Sequence, residues 1–488
     1  MFSNLTISQA ADLLASGKAT SLDLTNYYLN RIEKLDPEIG AYLLVTQEYA
    51  REKATASDER RKTGKSLGIL DGIPFGVKDV ISTKDIETTA ASLVLKGYVP
   101  PYSATVITKL EAAGAVILGK LNCDEFAMGS STENSAYKIT KNPWDTTKVP
   151  GGSSGGSAAA LAADLCVFAL GTDTGGSIRQ PASFCSVTGI KPTYGRVSRF
   201  GALPYGSSLD QIGPMAKNIA DLGILLEVMA GYDINDATTV KHEFVRDSET
   251  QNLNGIKLGL PKEYFAQGLE PEVKKIIDAA VTKYKELGAE IVPVSLPHTR
   301  YAIPTYYLIA MAEMSSNLAR YDGIHYGASV LRDKQEQVTS LLDVYTKTRS
   351  QFFGAEAKRK IILGTFELSA GYYDAYYKKA QQVRTLIKKD FDDALEKVDA
   401  LITPVSPFPP FGIGEKKSDP LSMYLADIYT VPANLAGVCA LSLPAGFTHD
   451  GLPVGMQIIG ARFNEGKILS IADVYEKATQ WHSRFPEL

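Results

Sequence analysis

The alternation of hydrophobic and polar positions in the first half of the chain predicts an α/β fold. Residues 21–36 repeat apolar side chains at helical spacing, which predicts an N-terminal amphipathic helix that ends at Pro37. Further along, apolar runs typical of strands take turns with helix-like runs. The strand-like runs are 69–80, 115–120 and 166–172, and the helix-like runs are 104–113 and 157–163. Such alternation indicates a sheet covered by helices.

The second half returns to this pattern after a polar run at 232–254. Three segments predict a second β-α-β unit, namely 256–261, 271–287 and 289–296. Residues 300–395 are helix-like and residues 401–407 are strand-like. Two strand-like runs then flank His449-Asp450-Gly451, which predicts a hairpin, and a last helix is expected over about 465–480.

A chain of 488 residues is long enough for one large domain or two smaller ones. We see neither an internal repeat nor a low-complexity tract that would separate modules. We therefore expect a single domain over 1–488, with a catalytic core at about 60–230. The second β-α-β unit and a helical region would follow at about 255–488.

Composition and charge exclude several classes of partner. Lys and Arg total 51 against 55 Asp and Glu, which gives a net charge of −4. No global basic field therefore draws the chain to nucleic acid or to acidic membranes. The first residues lack the pattern of a secretory signal, and the longest mostly apolar stretch, 158–170, is too short to span a bilayer. We expect a cytoplasmic protein that does not contact a membrane.

Histidine and cysteine are scarce and widely spaced. Because no CxxC or HxxxH pairing occurs, we expect no metal site and four buried free thiols. The cysteines are Cys123, Cys166, Cys185 and Cys439, and the histidines are His242, His298, His325, His449 and His482.

Glycine is concentrated in one region. Residues 151–206 contain 11 of the 41 glycines, where even spacing would place roughly 5. Backbone that must approach a neighbour closely, or adopt a positive φ, accounts for such a concentration.

Two interpretations of the glycine-rich segments fit poorly. Gly64-Lys65-Ser66 imitates the end of a P-loop, but Glu59 stands where the first glycine is required. The segment 151–155 matches the G-x-S-x-G elbow of α/β-hydrolases around Ser153. That elbow follows a buried strand, whereas the residues before 151 are polar and broken by proline.

A third interpretation is acyl transfer at the segment 167–181, where an apolar strand leads into a turn of Gly and Thr. Successive amides in this turn could form an oxyanion-binding nest, from residues Thr174, Gly175, Gly176 and Ser177. A hydroxyl at this turn is a candidate nucleophile, and its base would be a lysine kept neutral by burial. Lys78 lies in the most apolar setting of any lysine, although an ion pair with Asp79 or a snorkelling side chain is an alternative.

These segments together, 72–79 and 151–201, resemble the amidase signature family. The resemblance implies an α/β fold with a large mixed central sheet covered on both faces by helices. It implies a Ser-Ser-Lys triad, in which Ser177 is the acyl-forming nucleophile, Ser153 relays the proton and Lys78 is the base. It also implies a cis peptide between Gly152 and Ser153. Asp173 and Arg179 would brace the loop, unless they form a surface ion pair.

Within this family the chain is similar to the glutaminase subunits of tRNA-dependent amidotransferases, through segments 120–137, 191–214, 358–380 and 419–437. This implies glutamine as substrate, with Arg359 binding its α-carboxylate and Asp427 its α-ammonium group. The pocket would also be lined by Tyr307, Met128 and Ser130. Arg359 could instead be a solvated member of the basic cluster 358–360, and Tyr307 a core aromatic.

The same resemblance implies partners. A B subunit would activate the carboxyl group of mischarged Glu-tRNA(Gln), or of Asp-tRNA(Asn), with ATP and Mg²⁺, and a small C subunit would complete a heterotrimer. This chain would bind no cofactor and would contact tRNA mainly through its partner. A stand-alone amidase that hydrolyses other carboxamides is the alternative, and it should have an apolar pocket where Arg359 and Asp427 stand.

Overall fold

The computed structural model describes residues 2–247, 252–265, 268–332, 337–417 and 419–488. Parts of the polar run at 232–254 and of the helix-like region at 300–395, namely 248–251 and 333–336, lie outside the described residues. One sheet of 11 strands runs through the described chain and takes strands from both halves.

Eight of the 11 strands fall on strand-like runs of the sequence, whereas those at 42–45, 188–191 and 211–216 were not predicted. The strands are β1 (Tyr42–Val45), β2 (Pro74–Lys78), β3 (Val116–Leu121), β4 (Phe168–Asp173), β5 (Thr188–Lys191), β6 (Gln211–Ala216), β7 (Lys257–Pro261), β8 (Glu290–Val294), β9 (Ala400–Pro404), β10 (Cys439–Phe447) and β11 (Pro453–Gly460). Their order across the sheet is β1-β3-β2-β4-β6-β5-β10-β11-β9-β7-β8.

The sheet is mixed, as expected. Parallel pairing joins β3, β2 and β4 near one edge and β9, β7 and β8 at the other. The strands between these groups pair antiparallel, and β10 and β11 form the predicted hairpin. The predicted second β-α-β unit is confirmed, because β7 and β8 pair in parallel across an intervening helix.

Fifteen α-helices are formed by the described residues. They are α1 (Ile7–Ala15), α2 (Ser21–Ile39), α3 (Gln47–Lys62), α4 (Thr105–Ala112), α5 (Gly155–Ala162), α6 (Arg179–Cys185), α7 (Ile219–Met229), α8 (Pro271–Glu286), α9 (Ala302–Asn317), α10 (Leu341–Phe352), α11 (Ala355–Glu367), α12 (Lys379–Leu395), α13 (Pro420–Leu425), α14 (Val431–Ala436) and α15 (Glu465–Thr479). In the described part of the chain, no helix is both long and apolar enough to cross a bilayer.

Helix α2 shows where the sequence pattern was incomplete. Pro37 does not end the helix, which continues to Ile39 and stops at Gly40 in the left-handed conformation with φ 71°. Proline removes one backbone amide donor but does not by itself end a helix. A glycine with positive φ does end it, because the left-handed conformation caps the C-terminus. The amide of Gly40 donates to the carbonyl of Asp36 at 2.7 Å.

The parallel pairing of β2 with β4 creates the region of interest. All residues of both strands are buried, and Val77 stands opposite Leu170 in the register. Parallel neighbours end at the same edge of a sheet, so Lys78 at the end of β2 faces the segment that follows Leu170 in β4. The four cysteines are all buried free thiols, as predicted.

Candidate active site

Lys78 lies at the centre of a polar cluster inside the protein. Its ammonium nitrogen is 2.7 Å from the hydroxyl oxygen of Ser153 and 2.8 Å from that of Ser154. The hydroxyl of Thr172 lies 2.8 Å from the same nitrogen. Because Lys78 is completely buried, desolvation lowers its pKa to about 8. An amine with this pKa is partly neutral near physiological pH and can accept a proton.

The neighbouring groups indicate the direction of these hydrogen bonds. The hydroxyl of Ser154 donates to the carbonyl of Thr172 at 3.1 Å, so its oxygen accepts from Lys78. A neutral amine donates two hydrogen bonds and keeps one lone pair. With Ser154 and Thr172 as acceptors, that lone pair is available to the hydroxyl proton of Ser153.

The ion pair of Lys78 with its neighbour Asp79, which the sequence left open, does not form. Asp79 instead accepts from the amide and hydroxyl of Thr89, at 3.0 and 2.5 Å, and lies 3.7 Å from the ammonium of Lys120. Successive residues at a strand end point to opposite faces, so Lys78 and Asp79 face different surroundings.

Ser153 lies in a tight loop that precedes α5. The peptide between Gly152 and Ser153 is cis, as the family resemblance implied. A Cβ on Gly152 would clash with the Asp124 carboxylate, so only glycine fits beside this buried acid. No strand leads directly into Ser153 in this described segment, which removes the α/β-hydrolase elbow as an interpretation.

Ser177 lies between β4 and α6 and lines a cavity. Its carbonyl accepts the amide of Ser154 at 3.1 Å, which ties the two serine loops together. Gly176 has φ 135°, a conformation that favours glycine, and a Cβ there would clash with Thr430. The hydroxyl of Thr174 donates to Asp210 at 2.6 Å and fixes the other side of the loop.

The expected nest of four amides is only partly available in this arrangement. The amide of Gly176 donates to the Asp173 carboxylate at 2.9 Å, and it therefore does not point to an oxyanion. The sequence held a local signal for this bond, because an Asp side chain often accepts from an amide a few residues later and then competes with a ligand for it.

Asp173 and Arg179 brace the loop that carries Ser177 from inside the protein. Both side chains are fully buried, and the guanidinium donates to both carboxylate oxygens at 3.0 Å. Burial alone would raise the pKa of Asp173, but the adjacent Arg179 lowers it to about 2. Arg179 also donates to the carbonyl of Thr430 and to Asn434. The alternative of a surface ion pair is therefore wrong.

The cavity at Ser177 has a volume of about 470 Å³ and brings together residues from distant parts of the chain. Among the predicted residues it is lined by Gly175, Ser177, Ser130, Tyr307, Arg359 and Asp427. A cavity of this size with a few charged groups is typical of a site for a small molecule.

The two charged groups expected to bind substrate differ in their surroundings. Asp427 is buried and accepts a hydrogen bond from Ser130, and burial raises its pKa to about 7. Arg359 pairs with Glu356 and donates to the hydroxyl of Tyr424 at 3.0 Å. Although its side chain is 39% exposed, Arg359 lines the cavity wall and pairs with Glu356, so it is not simply a solvated member of the basic cluster.

Of the two pocket residues Tyr307 and Met128, only Tyr307 lines the cavity as predicted. Tyr307 packs against the core and lines the cavity as well, with its ring 3.9 Å from that of Tyr424. Met128 is completely buried in the core and does not line the cavity, whereas its neighbours Ala127 and Gly129 do. Phe126 and Ala127, which directly precede Met128, both have positive φ, so the backbone changes direction at this point.

Sequence analysis missed several residues of the cavity wall. Those that make specific contacts are Tyr205, Tyr306, Glu356, Lys360 and Tyr424. Glu356 and Lys360 had a detectable signal, since Glu356 lies three residues before Arg359 and four before Lys360 on a predicted helix. The described residues include no histidine in the cavity wall and no cluster of His, Cys, Asp and Glu that could hold a metal ion.

Comparison with known proteins adds independent findings. The amidase family model matches residues 23–469. The chain is 55% identical, over 99% of its length and 98% of the relative's, to the A subunit of the glutamyl-tRNA(Gln) amidotransferase of Chloroflexus aggregans.

The chain is also similar to solved structures over nearly its whole length. The A subunit of the glutamyl-tRNA(Gln) amidotransferase of Thermotoga maritima superposes with a TM-score of 0.81 at 43% identity, covering 98% of this chain and 95% of that one. A native peptide amidase from Stenotrophomonas maltophilia superposes with a TM-score of 0.79 at 30% identity, covering 99% and 98%.

Proposed function

Since this chain belongs to the amidase family, we propose that it is the glutaminase subunit of a tRNA-dependent amidotransferase. The observation that carries the proposal is that Ser177 opens onto the same cavity as Arg359 and Asp427. Glutamine has a carboxamide to be cleaved, an α-carboxylate for the guanidinium and an α-ammonium group for the carboxylate. Ser130 and Tyr307 also line this cavity, and they would surround the side chain of the bound glutamine.

The proposed reaction begins with transfer of one proton. Ser177 Oγ attacks the carboxamide carbon while its proton passes to Ser153 Oγ, whose own proton passes to Lys78 Nζ. Amides of the loop, from Thr174, Gly175 and Ser177, stabilise the oxyanion, while the amide of Gly176 holds Asp173.

The tetrahedral intermediate then collapses. The C–N bond breaks, the proton returns from Lys78 through Ser153 to the nitrogen, and ammonia leaves. Water then attacks the acyl carbon while its proton passes through Ser153 to Lys78. The ester C–O bond breaks as that proton returns through Ser153 to Ser177 Oγ, which releases glutamate and restores the serine. These reaction steps, as proposed, use no cofactor bound to this chain.

Partners complete the proposed activity. The ammonia would serve a B subunit that activates Glu-tRNA(Gln), or Asp-tRNA(Asn), with ATP and Mg²⁺, while a small C subunit holds the heterotrimer together. The net charge of −4 fits a subunit that leaves tRNA and ATP to its partner. We place this activity in the cytoplasm.

Dependence on partners tests the proposal. We expect ammonia from glutamine to appear in Gln-tRNA(Gln) only when the chain, the partner subunits, Glu-tRNA(Gln) and ATP are combined. A peptide amidase of similar fold makes a stand-alone amidase the competing function. Full hydrolysis of simple amides by the isolated chain, with no response to partners or Glu-tRNA(Gln), would establish that alternative instead.

A further inference from the structure

Helix α11 presents two consecutive cations to the cavity, and they differ sharply in exposure. Both Arg359 and Lys360 line the cavity wall. The side chain of Lys360 is 4% exposed, whereas that of Arg359 is 39% exposed. A buried ammonium in a substrate cavity is costly unless neighbouring groups stabilise its charge, and the proposed reaction assigns no task to Lys360.

Three cavity residues surround the Lys360 ammonium. It lies 3.4 Å from the carboxylate of Glu356 and 3.2 Å from the hydroxyl of Tyr205. It also lies 5.0 and 5.7 Å from the ring centroids of Tyr205 and Tyr307, within the range of cation–π contact. Burial alone would lower the pKa of Lys360, but Tyr205 and Glu356 together raise it above its usual value, so the ammonium stays charged.

Glu356 is shared between the two cations. One of its carboxylate oxygens accepts from Arg359, and the other faces Lys360. These pairs are at i,i+3 and i,i+4 on α11, so they form within a single helical surface. The side chain of Glu356 is 16% exposed, and solvent therefore offers it little compensation if a partner is lost.

Helix α11 itself is held in place. The amide of Gly354 donates to both carboxylate oxygens of Glu125, at 3.1 and 3.0 Å. A Cβ on Gly364 would clash with the carbonyl of Met311, so α11 packs directly on α9. These contacts fix the position of the helix and therefore the place of its charged side chains in the cavity wall.

The three charged side chains carry one net positive charge. A substrate carboxylate at Arg359 neutralises that charge, while Glu356 keeps Lys360 as its counter-ion. Without Lys360, the incoming carboxylate would share a single guanidinium with Glu356, and the two anions would repel each other in a poorly solvated site.

We propose that Lys360 is a positioning residue for carboxylate recognition: it holds Glu356 and the wall formed by Tyr205 and Tyr307, and so leaves Arg359 available to the substrate. This inference rests on the proposed function, because it takes Arg359 as the group that binds the α-carboxylate. The consequence is selectivity for amides that carry a carboxylate.

The test compares glutamine with 4-aminobutanamide, which is glutamine without its α-carboxylate. For Lys360→Met, in the full chain with its partner subunits, we expect the ratio of kcat/KM for glutamine to that for 4-aminobutanamide to fall at least tenfold. The loss should appear mainly in KM for glutamine. Lys360→Arg should restore the ratio to within about threefold of the unaltered protein.

A second-site change separates charge balance from simple structural damage. When Glu356→Gln is added to Lys360→Met, residues 356, 359 and 360 again carry one net positive charge. The ratio of kcat/KM for glutamine to that for 4-aminobutanamide should then regain at least half of what Lys360→Met lost. Glu356→Gln alone should raise the ratio, which provides a test even if Lys360→Met does not fold. An equal loss for both substrates, or a double variant no better than Lys360→Met, would overturn the inference.

Arg359→Ala distinguishes this inference from the proposed function. If Arg359→Ala leaves the ratio unchanged, Arg359 does not bind the carboxylate, and both the assignment and the inference fail. If Arg359→Ala abolishes the preference while Lys360→Met does not, only the role of Lys360 is wrong.

Discussion

The amine of Lys78 and the hydroxyl of Ser153 lie 2.7 Å apart, although 75 positions separate them in the chain. Both are completely buried, and among the described residues no carboxylate forms a hydrogen bond with Lys78. A buried amine with hydroxyl neighbours holds its proton weakly, which suits a base that works through a serine.

The pH dependence of acylation should follow this lysine. Its pKa is lowered to about 8 by burial, and only the neutral amine accepts a proton. We therefore expect kcat/KM for glutamine to rise with pH and to level off above about 8. Lys78→Met should lower kcat/KM by roughly 10²–10⁴-fold.

Lys120 provides a matched control for that substitution. It is equally buried and its pKa is also lowered to about 8, but it bonds to the carbonyl of Ile81 and the hydroxyl of Thr88. Lys120→Met should reduce thermal stability while acylation retains its rise near pH 8. If Lys120→Met removed that rise and Lys78→Met kept it, Lys78 would not be the base.

Ser177→Ala should abolish formation of the acyl-enzyme. No other oxygen is proposed to bond to the acyl carbon, so mass spectrometry of acid-quenched mixtures with glutamine should show no mass addition. Ser153→Ala keeps the nucleophile and should accumulate the adduct slowly. Ser157→Ala, a buried serine of α5 that donates to the carbonyl of Leu170 at 2.9 Å, serves as control. An adduct retained in Ser177→Ala would contradict the nucleophile assignment.

The affinity for glutamine should depend on the charge of Asp427. Burial raises its pKa to about 7, and only the carboxylate attracts the α-ammonium group. KM should therefore fall as pH rises through about 7. Ser130→Ala removes a hydrogen bond that lowers this pKa, so the fall should move to higher pH.

A substrate without the amine controls for this effect. Glutaramate keeps the carboxamide and the carboxylate but has no ammonium group for Asp427 to attract. Its KM should show no fall near pH 7 in the unaltered protein. A matching fall for glutaramate would mean that another group near the cavity titrates.

Stability should depend strongly on the buried pair of Asp173 and Arg179. Removing one partner of a buried ion pair leaves an uncompensated charge and costs about 3–5 kcal/mol. We expect Arg179→Met to lower the midpoint of thermal unfolding, and Asp173→Asn with Arg179→Met to be less damaging than the sum of the single changes. Additive losses would show that the two side chains are not coupled.

The same pair gives a prediction for acid. The pKa of Asp173 is lowered to about 2 in the folded chain from 3.8, so the folded state binds fewer protons between these values. Its contribution to stability is complete above about 4 and is lost as pH falls through about 2. Unfolding midpoints between pH 2 and 5 should show a shallower decline for the double variant.

Much of the fold was predictable from the sequence because periodicity is a local property. The runs at 115–120, 271–287 and 453–460 correspond to β3, α8 and β11, with boundaries that differ by at most one residue. The loops with Ser153 and Ser177 were also recognisable, since glycine at several fixed positions marks backbone that side chains would obstruct.

The sequence by itself determined the elements, the glycine-rich loops and the candidate groups, because spacing and residue type act over a few residues. Only the tertiary structure decided which groups meet. It placed Asp79 beside Lys120 rather than Lys78, and brought Arg179 against Thr430 and Asn434. It also set Glu356 and Lys360 beside Arg359 in one cavity. Hydrogen bonds and charges act at distances of a few ångströms in space, and the register of distant strands and helices fixes those distances.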